Sequence, residues 1–155
     1  MASEPREVWG DLAASAFVKG NHLFRSLDEE ALRDLVKLSV YQTFAPGERI
    51  IERGQAGDEF FLVRDGLAAV TVVRGRRAVD LGTLEQGAFF GEMRLLTGAP
   101  HTADVSAVTE LSVVRFPAPL ILALCARFPR MKQLLEAVKA ARERANAEKL
   151  GAPPP

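Results

Sequence analysis

Residues 90–107 read FGEMRLLTGAPHTADVSA: a glycine turn, a carboxylate, a short apolar helical run, a Gly/Pro loop and then a strand. Gly91 can take backbone angles closed to other residues, so the N–H groups that follow it can crowd together at the start of a short helix, where an anion is favoured. Glu92 stands beside that place as an acceptor for a hydroxyl group. The stretch reads as a ligand site set between two strands rather than as a plain surface loop.

Upstream of it, from Val40, short apolar runs are punctuated by turn residues. Pro46-Gly47 suits a tight turn, Gly54 to Gly57 a loop, and Asp65-Gly66 between EFFLVR and LAAVTVV a hairpin, with further reversals at Gly75 and Gly87. Strands are expected near residues 40–45, 48–52, 59–64, 67–73, 78–84, 88–90, 102–107 and 111–116. Many short antiparallel strands separated in this way imply a sandwich or closed barrel, for which the jelly roll is the common eight-strand solution.

Helical patterns flank this region. Apolar positions at Val8, Trp9, Leu12, Ala16, Phe17 and Leu23, with Gly20-Asn21 as a break, predict a helix and a turn. The stretch SLDEEALRDLVKL predicts a second helix with a capping box, Ser26 bonding forward and Glu29 back, and with Leu32, Leu35 and Val36 on one face. After Pro117 a helix is expected over residues 120–127 and a longer one from Arg130 to about Lys149, with Pro129 in its first turn and a frayed GAPPP tail. Its apolar stripe is Met131, Leu134, Val138, Ala141 and Ala145, which suits docking on the chain's own strands or pairing with a second copy. The expected fold is mainly β with flanking helices: an eight-stranded antiparallel β-roll or jelly roll with N-terminal helices, a short cassette helix and two C-terminal helices. Residues 1–22 form the N-terminal helical segment, 23–128 the roll with its first C-terminal helix, 129–150 a lid or dimerisation helix and 151–155 a disordered tail.

The bulk numbers fit one domain: 155 residues, 48% hydrophobic and 26% charged, leave no room for a second full core. Lys plus Arg and Asp plus Glu both number 20, so no net field draws the chain to nucleic acid, and direct DNA binding is not expected. Cys125 is the only cysteine and sits in the apolar run PLILALCA, which excludes an internal disulfide and reads as a buried thiol in a reducing compartment. His22 and His101 belong to no ligand-spaced cluster, so no metal site is expected, and no catalytic triad with orienting partners is present. The start MASEPREVWGDL carries no secretory signal and no run approaches membrane-spanning length, so a cytoplasmic protein without membrane insertion is expected.

The order of these features resembles the cyclic nucleotide-binding domain family over roughly residues 23–135. FAPGERIIERGQAGDEFFLVRDGLAAV is similar to the family's first half, and GAFFGEMRLLTGAPHTADVSA to its phosphate-binding cassette, in which FGE, a short helix and a PR-(T/S)-A strand hold a ribose cyclic phosphate. The resemblance implies a ligand set of Phe90, Gly91, Glu92, Met93, Arg94, Leu95, His101 and Thr102, with Glu92 accepting the ribose 2′-hydroxyl and the N–H groups of residues 91–95 meeting the phosphate. Glu92 would serve equally as a helix cap, since a carboxylate near a helix N-terminus is stabilising in itself. Val70 and Leu81 would line the pocket or fill the roll.

Two residues depart from the family pattern. His101 stands where the family has a phosphate-binding arginine, and an imidazole with an ordinary pKa of about 6.5 offers a single, mostly uncharged donor in place of a charged fork. Arg94 stands where a small residue is usual, placing a cation that can reach the phosphate or pair with Glu92. Asp104 would repel a phosphate if its side chain faced the pocket.

Two functions follow from the resemblance. One is a non-enzymatic regulatory sensor or adaptor that binds cAMP, cGMP or a related phosphate ligand, with no obligatory cofactor, and signals through the C-terminal helix to an unknown protein partner or through a homodimer. The other is a degenerate member that has lost the nucleotide and serves as a protein-interaction or assembly subunit. No helix-turn-helix, kinase, channel or cyclase segment is evident in the 155 residues, so the signal is expected to leave through a partner or oligomerisation.

Overall fold

In the computed structural model, which describes residues 2–55, 59–91, 96–98 and 101–151, the run Phe60, Phe61, Leu62, Val63 is buried at every position. A strand covered on one face alternates buried and exposed; one covered on both reads as a continuous apolar run. The strand carrying this run, β4 (Glu59–Asp65), therefore belongs to a sheet packed on both sides.

Nine strands are present among the described residues: β1 (Arg6–Glu7), β2 (Val40–Phe44), β3 (Arg49–Ile51), β4 (Glu59–Asp65), β5 (Ala68–Arg74), β6 (Arg77–Leu84), β7 (Phe89–Phe90), β8 (Asp104–Ala107) and β9 (Leu111–Pro117). They form two antiparallel sheets, ordered β1-β2-β9-β4-β7 and β3-β8-β5-β6. Between the sheets lie Phe61, Val63, Leu111 and Val113 from the first and Ile51, Ala68, Leu84 and Val105 from the second. On the other side of the five-stranded sheet, Phe60, Leu62, Val114 and Phe116 pack against the helices. Phe24 of the helical layer meets Phe116 edge-on at a centroid separation of 5.6 Å.

The eight expected strands are all found close to their expected limits. The additional strand β1 pairs Arg6 with Tyr41 and Glu7 with Val40. Two exposed charged residues carry no strand pattern, so only the neighbouring edge of β2 reveals it.

Among the described residues the helices of three or more residues are α1 (Leu12–Gly20), a 3-10 turn at His22–Phe24, α2 (Glu29–Leu38), α3 (Ala118–Arg127) and α4 (Pro129–Lys149). Helix α1 starts later than the apolar pattern suggests because Asp11 caps it, its Oδ1 accepting from the Ala14 N–H at 3.0 Å. That start rotates the inward face onto Ala14 and Val18 and leaves Trp9 and Leu12 outside. The Ala14 N–H also holds the Asp11 carboxyl below its ordinary pKa. A depressed folded-state pKa means that the cap's contribution is present above the unfolded value and fades as pH falls through the folded one. Asn21 ends α1 as a buried link: its Oδ1 accepts from the Leu23 N–H at 2.9 Å, and its Nδ2 donates to the Gly87 carbonyl at 3.1 Å, tying the helices to the roll.

The cap of α2 is Asp28 rather than Ser26. Asp28 Oδ1 accepts from the Ala31 N–H at 2.8 Å, whereas Ser26 Oγ is buried without a hydrogen-bond partner. Both residues carry a cap-forming side chain, and the one directly before the first helical residue takes the position. Asp28→Ala should therefore cost about 1 kcal/mol, while Ser26→Ala should be neutral or stabilising because it removes an unsatisfied buried hydroxyl. Urea titrations of the two variants give the comparison, and equal losses would count against this assignment.

Cys125 faces the helical core from α3, and burial pushes its thiol pKa up, so it is a poor nucleophile. Met131 and Leu135 anchor the first half of α4 in the same core. Leu134, expected on the inward stripe, is instead partly exposed.

Candidate functional site

Phe90 pairs with Phe61 across β7 and β4, and the two rings stack at 4.8 Å with an angle of 6° between their planes. This pairing carries the chain out of the sheet at Gly91, whose φ is 92°. A Cβ on Gly91 would lie 3.0 Å from the Glu59 carbonyl oxygen, so close approach to β4 as well as the backbone angle calls for glycine here. Glu92, Met93, Arg94 and Leu95, together with the start of the expected cassette helix, lie outside the described residues.

Beyond Gly91 a cavity of about 180 Å³ opens between the four-stranded sheet and α4. Its wall is apolar: Ile51, Val70, Leu81, Leu84, Phe90 and Val105. Gly91, His101, Thr102 and Ala103 also line it, as do Gly82 and Thr83 of β6. Arg142, Ala145 and Asn146 reach it from α4. Apolar walls with a few converging polar groups are the usual make-up of a small-molecule site.

Four of the eight expected ligand residues are thus placed together at one cavity: Phe90, Gly91, His101 and Thr102. Val70 and Leu81 are wall residues of the same cavity. His101 also lines a second, smaller cavity of about 120 Å³ with Glu52, Gln55 and Glu59, so it stands between the two spaces. Its backbone is held on both sides, its N–H donating to the Gln55 carbonyl at 3.2 Å and its carbonyl accepting from the Gly54 N–H at 2.8 Å.

Asp104 is turned away from the first cavity. Its Oδ1 accepts from the Arg53 N–H at 2.7 Å, while its neighbours Ala103 and Val105 line the cavity. The carboxylate secures the loop after β3 and is not aimed at an anion bound near His101. Glu59, on the wall of the second cavity, is gripped by Arg115: Nε donates to Oε2 at 2.8 Å and Nη2 to Oε1, while Nη1 donates to Gln42 Oε1. This fork neutralises the carboxylate nearest His101 on β4.

The polar residues contributed by α4 were not apparent from the apolar stripe. The inward face runs through Met131, Leu135 and Val138 and continues at the same spacing to Arg142, Ala145 and Lys149. Extending that spacing past Val138, even though it leaves apolar residues, would have found Arg142. The Arg142 guanidinium lies 5.5 Å from the centre of the Phe89 ring, within range of a cation–π contact. Among the described residues no cluster of three metal-ligating side chains exists, and no helix is long and apolar enough to cross a membrane.

Comparisons with known proteins bear on the family and the fold. The family model described as "Cyclic nucleotide-binding domain" matches residues 41–128. A cAMP-dependent protein kinase regulatory subunit from Yarrowia lipolytica is 35% identical, the match covering 73% of this chain and 34% of that protein. A cyclic nucleotide-gated potassium channel from Mesorhizobium japonicum is 34% identical, with coverage of 81% and 33%. The chain thus spans about a third of the length of each of these relatives. Among solved structures, the Thermus thermophilus catabolite activator protein superposes with a TM-score of 0.70 at 27% identity, covering 83% of this chain and 61% of that one.

Proposed function

Since the chain belongs to the cyclic nucleotide-binding domain family, we propose that it is a non-enzymatic regulatory module that takes cAMP, cGMP or a related phosphate ligand into the cavity beneath α4. The observation that carries this reading is the cavity itself, lined by Gly91, His101 and Thr102 of the motif together with Arg142 and Asn146 of α4. In this reading the phosphate lies toward Gly91 and His101, and Glu92 accepts the ribose hydroxyl as in the family pattern. The N–H groups of residues 91–95 complete the anion site, with Met93 and Leu95 as flanking apolar contacts and Arg94 as a further cation. A ligand that touches both the roll and α4 favours the docked helix over an undocked one by its difference in affinity for the two, and this difference is the signal delivered to a protein partner or to a second copy.

Titration calorimetry with cAMP, cGMP and a cyclic dinucleotide at pH 6 and 7.5 tests the proposal. Binding of one of the first two, with a ligand-dependent rise in melting temperature, is expected. No heat with any ligand up to millimolar concentration would defeat it. The alternative, a degenerate assembly subunit, draws support from His101 in the arginine position, but it calls for a pocket filled by the chain's own side chains. The apolar-walled cavity among the described residues supports the binding reading.

A further inference from the structure

Beyond the Arg142 to Phe89 contact, the last turn of α4 makes its own specific contact with the roll. Between Val138 and Lys149 no residue of the helix is buried, although that span is roughly 16 Å long at 1.5 Å per residue. Val138, Arg142 and Asn146 are half-buried and the residues between them mostly exposed, and a helix covered this lightly depends on its few tertiary contacts. At its last residue, Lys149 Nζ donates to the Leu81 carbonyl at 2.6 Å.

That carbonyl is on offer because β6 bulges there. Val70 pairs with Gly82 and Thr71 with Asp80, so the register between β5 and β6 skips Leu81. A bulged residue is left out of the ladder, and its backbone groups are open to other partners. Asp80 supports the bulge, its Oδ1 accepting from the Gly82 N–H at 2.9 Å. The Leu81 side chain meanwhile forms part of the cavity wall. One residue thus faces the cavity with its side chain and the helix end with its carbonyl.

We infer that Lys149 and the bulge at Leu81 form a latch that holds the distal half of α4 over the cavity and sets how slowly a bound ligand leaves. Lys149 acts as a positioning residue that touches no ligand. The residence-time half of the inference rests on the cavity being the ligand site; the latch itself does not.

The test uses the full chain and two variants, Lys149→Met, which keeps the apolar stem and loses the donors, and Lys149→Arg, which restores a cationic donor. Hydrogen exchange without nucleotide should show amides 142–149 exchanging about fivefold faster in Lys149→Met, the scale of losing one charge-assisted hydrogen bond at a partly exposed site. Amides 131–135 should be unchanged, and Lys149→Arg should return the rates towards those of the parent. Equal exchange over 142–149 in the parent and Lys149→Met overturns the latch, whether or not any nucleotide binds. Stopped-flow release of a fluorescent cAMP or cGMP analogue should then quicken about fivefold in Lys149→Met with little change in association. Faster exchange with unaltered release overturns the residence-time half alone. A parent protein that binds neither analogue defeats the proposed function and that half with it, and the exchange data still decide the latch.

Discussion

Gly66→Ala is expected to destabilise the protein by about 3–5 kcal/mol, placing it among the few single substitutions with so large an effect. Gly66 has a φ of 91°, and a left-handed backbone carrying a Cβ costs roughly 1–2 kcal/mol by itself. The larger cost is contact: the added Cβ would lie 2.1 Å from the Glu110 carbonyl oxygen and 3.0 Å from Thr109 Oγ1. Neither can swing aside cheaply. The Val108 N–H donates to the Leu67 carbonyl at 2.9 Å, and the Leu67 N–H donates to Thr109 Oγ1 at 3.0 Å, so the turn between β4 and β5 and the turn between β8 and β9 are stitched together. Making room for a methyl group means parting them. Gly75→Ala is the control, because Gly75 also has a positive φ, 63°, but nothing lies within 4 Å of its added Cβ. The control should lose only the backbone cost. Urea denaturation of both variants separates the two contributions, and a loss at Gly66 no larger than at Gly75 would show that the turns yield freely. For a domain of this size the difference should also appear as a fall in melting temperature of about 2–4 °C per kcal/mol.

Gly66 also shows which parts of the fold could be read from the chain. Asp65-Gly66 marks a hairpin locally, and the hairpin is there; the reason that no other residue fits is a carbonyl brought up from Glu110, which local spacing does not reveal. The strands were legible because their turns are local, and the order of turns and cassette matched a family whose fold the chain has. Elements fixed by distant partners were not. Arg6 and Glu7 become a strand only because β2 offers an edge. Asp28 displaces Ser26 as the α2 cap through a difference of position that cap preferences alone do not resolve, since both residue types favour the site. On α4 the choice between Leu134 and Leu135 as the buried residue depends on how the helix leaves Phe128, and the structure buries Leu135.

The same distinction runs through the site. His101, Thr102, Phe90 and Gly91 could be named because a contiguous motif carries them. Arg142, Asn146 and Lys149 could not, because the last turns of α4 are rich in alanine and charge and resemble a solvated helix. They come to the cavity only because α4 packs over the roll, Arg142 beside Phe89 and Lys149 at Leu81. Asp104 was ambiguous for a different reason: strand alternation needs a reference point, and His101 precedes the start of β8. The hydrogen bond to the Arg53 N–H supplies that reference and removes a negative charge from the list of groups facing a ligand phosphate.

With Asp104 turned away, His101→Arg is expected to tighten cyclic nucleotide binding by about tenfold or more. Exchanging a single, mostly neutral donor for a charged bidentate fork is worth on the order of 1.5–3 kcal/mol at a phosphate, and each 1.4 kcal/mol is roughly a tenfold change in affinity. Two carboxylates compete for the new guanidinium, since Glu52 and Glu59 line the second cavity beside His101. Both already have cationic neighbours: Glu59 is held by Arg115, and Glu52 lies 3.9 Å from Arg49. Their pull therefore trims the gain towards the lower end of the range without cancelling it. The pH dependence gives an independent reading. A bound phosphate favours the imidazolium form and so raises the pKa of the histidine, so the parent protein should bind more tightly at pH 6 than at pH 7.5, the gain being full below the unliganded pKa and lost as pH rises through the liganded one. Arginine stays charged throughout this range, so the variant should show a nearly flat profile attributable to the ligand phosphate alone. Calorimetry of both proteins at the two pH values makes the comparison. A variant whose affinity is unchanged, or whose pH profile keeps the slope of the parent, would mean that the phosphate does not approach the strand start at residue 101. The anion would then have to be held from Gly91 and the residues that follow it, or from Arg142 across the cavity.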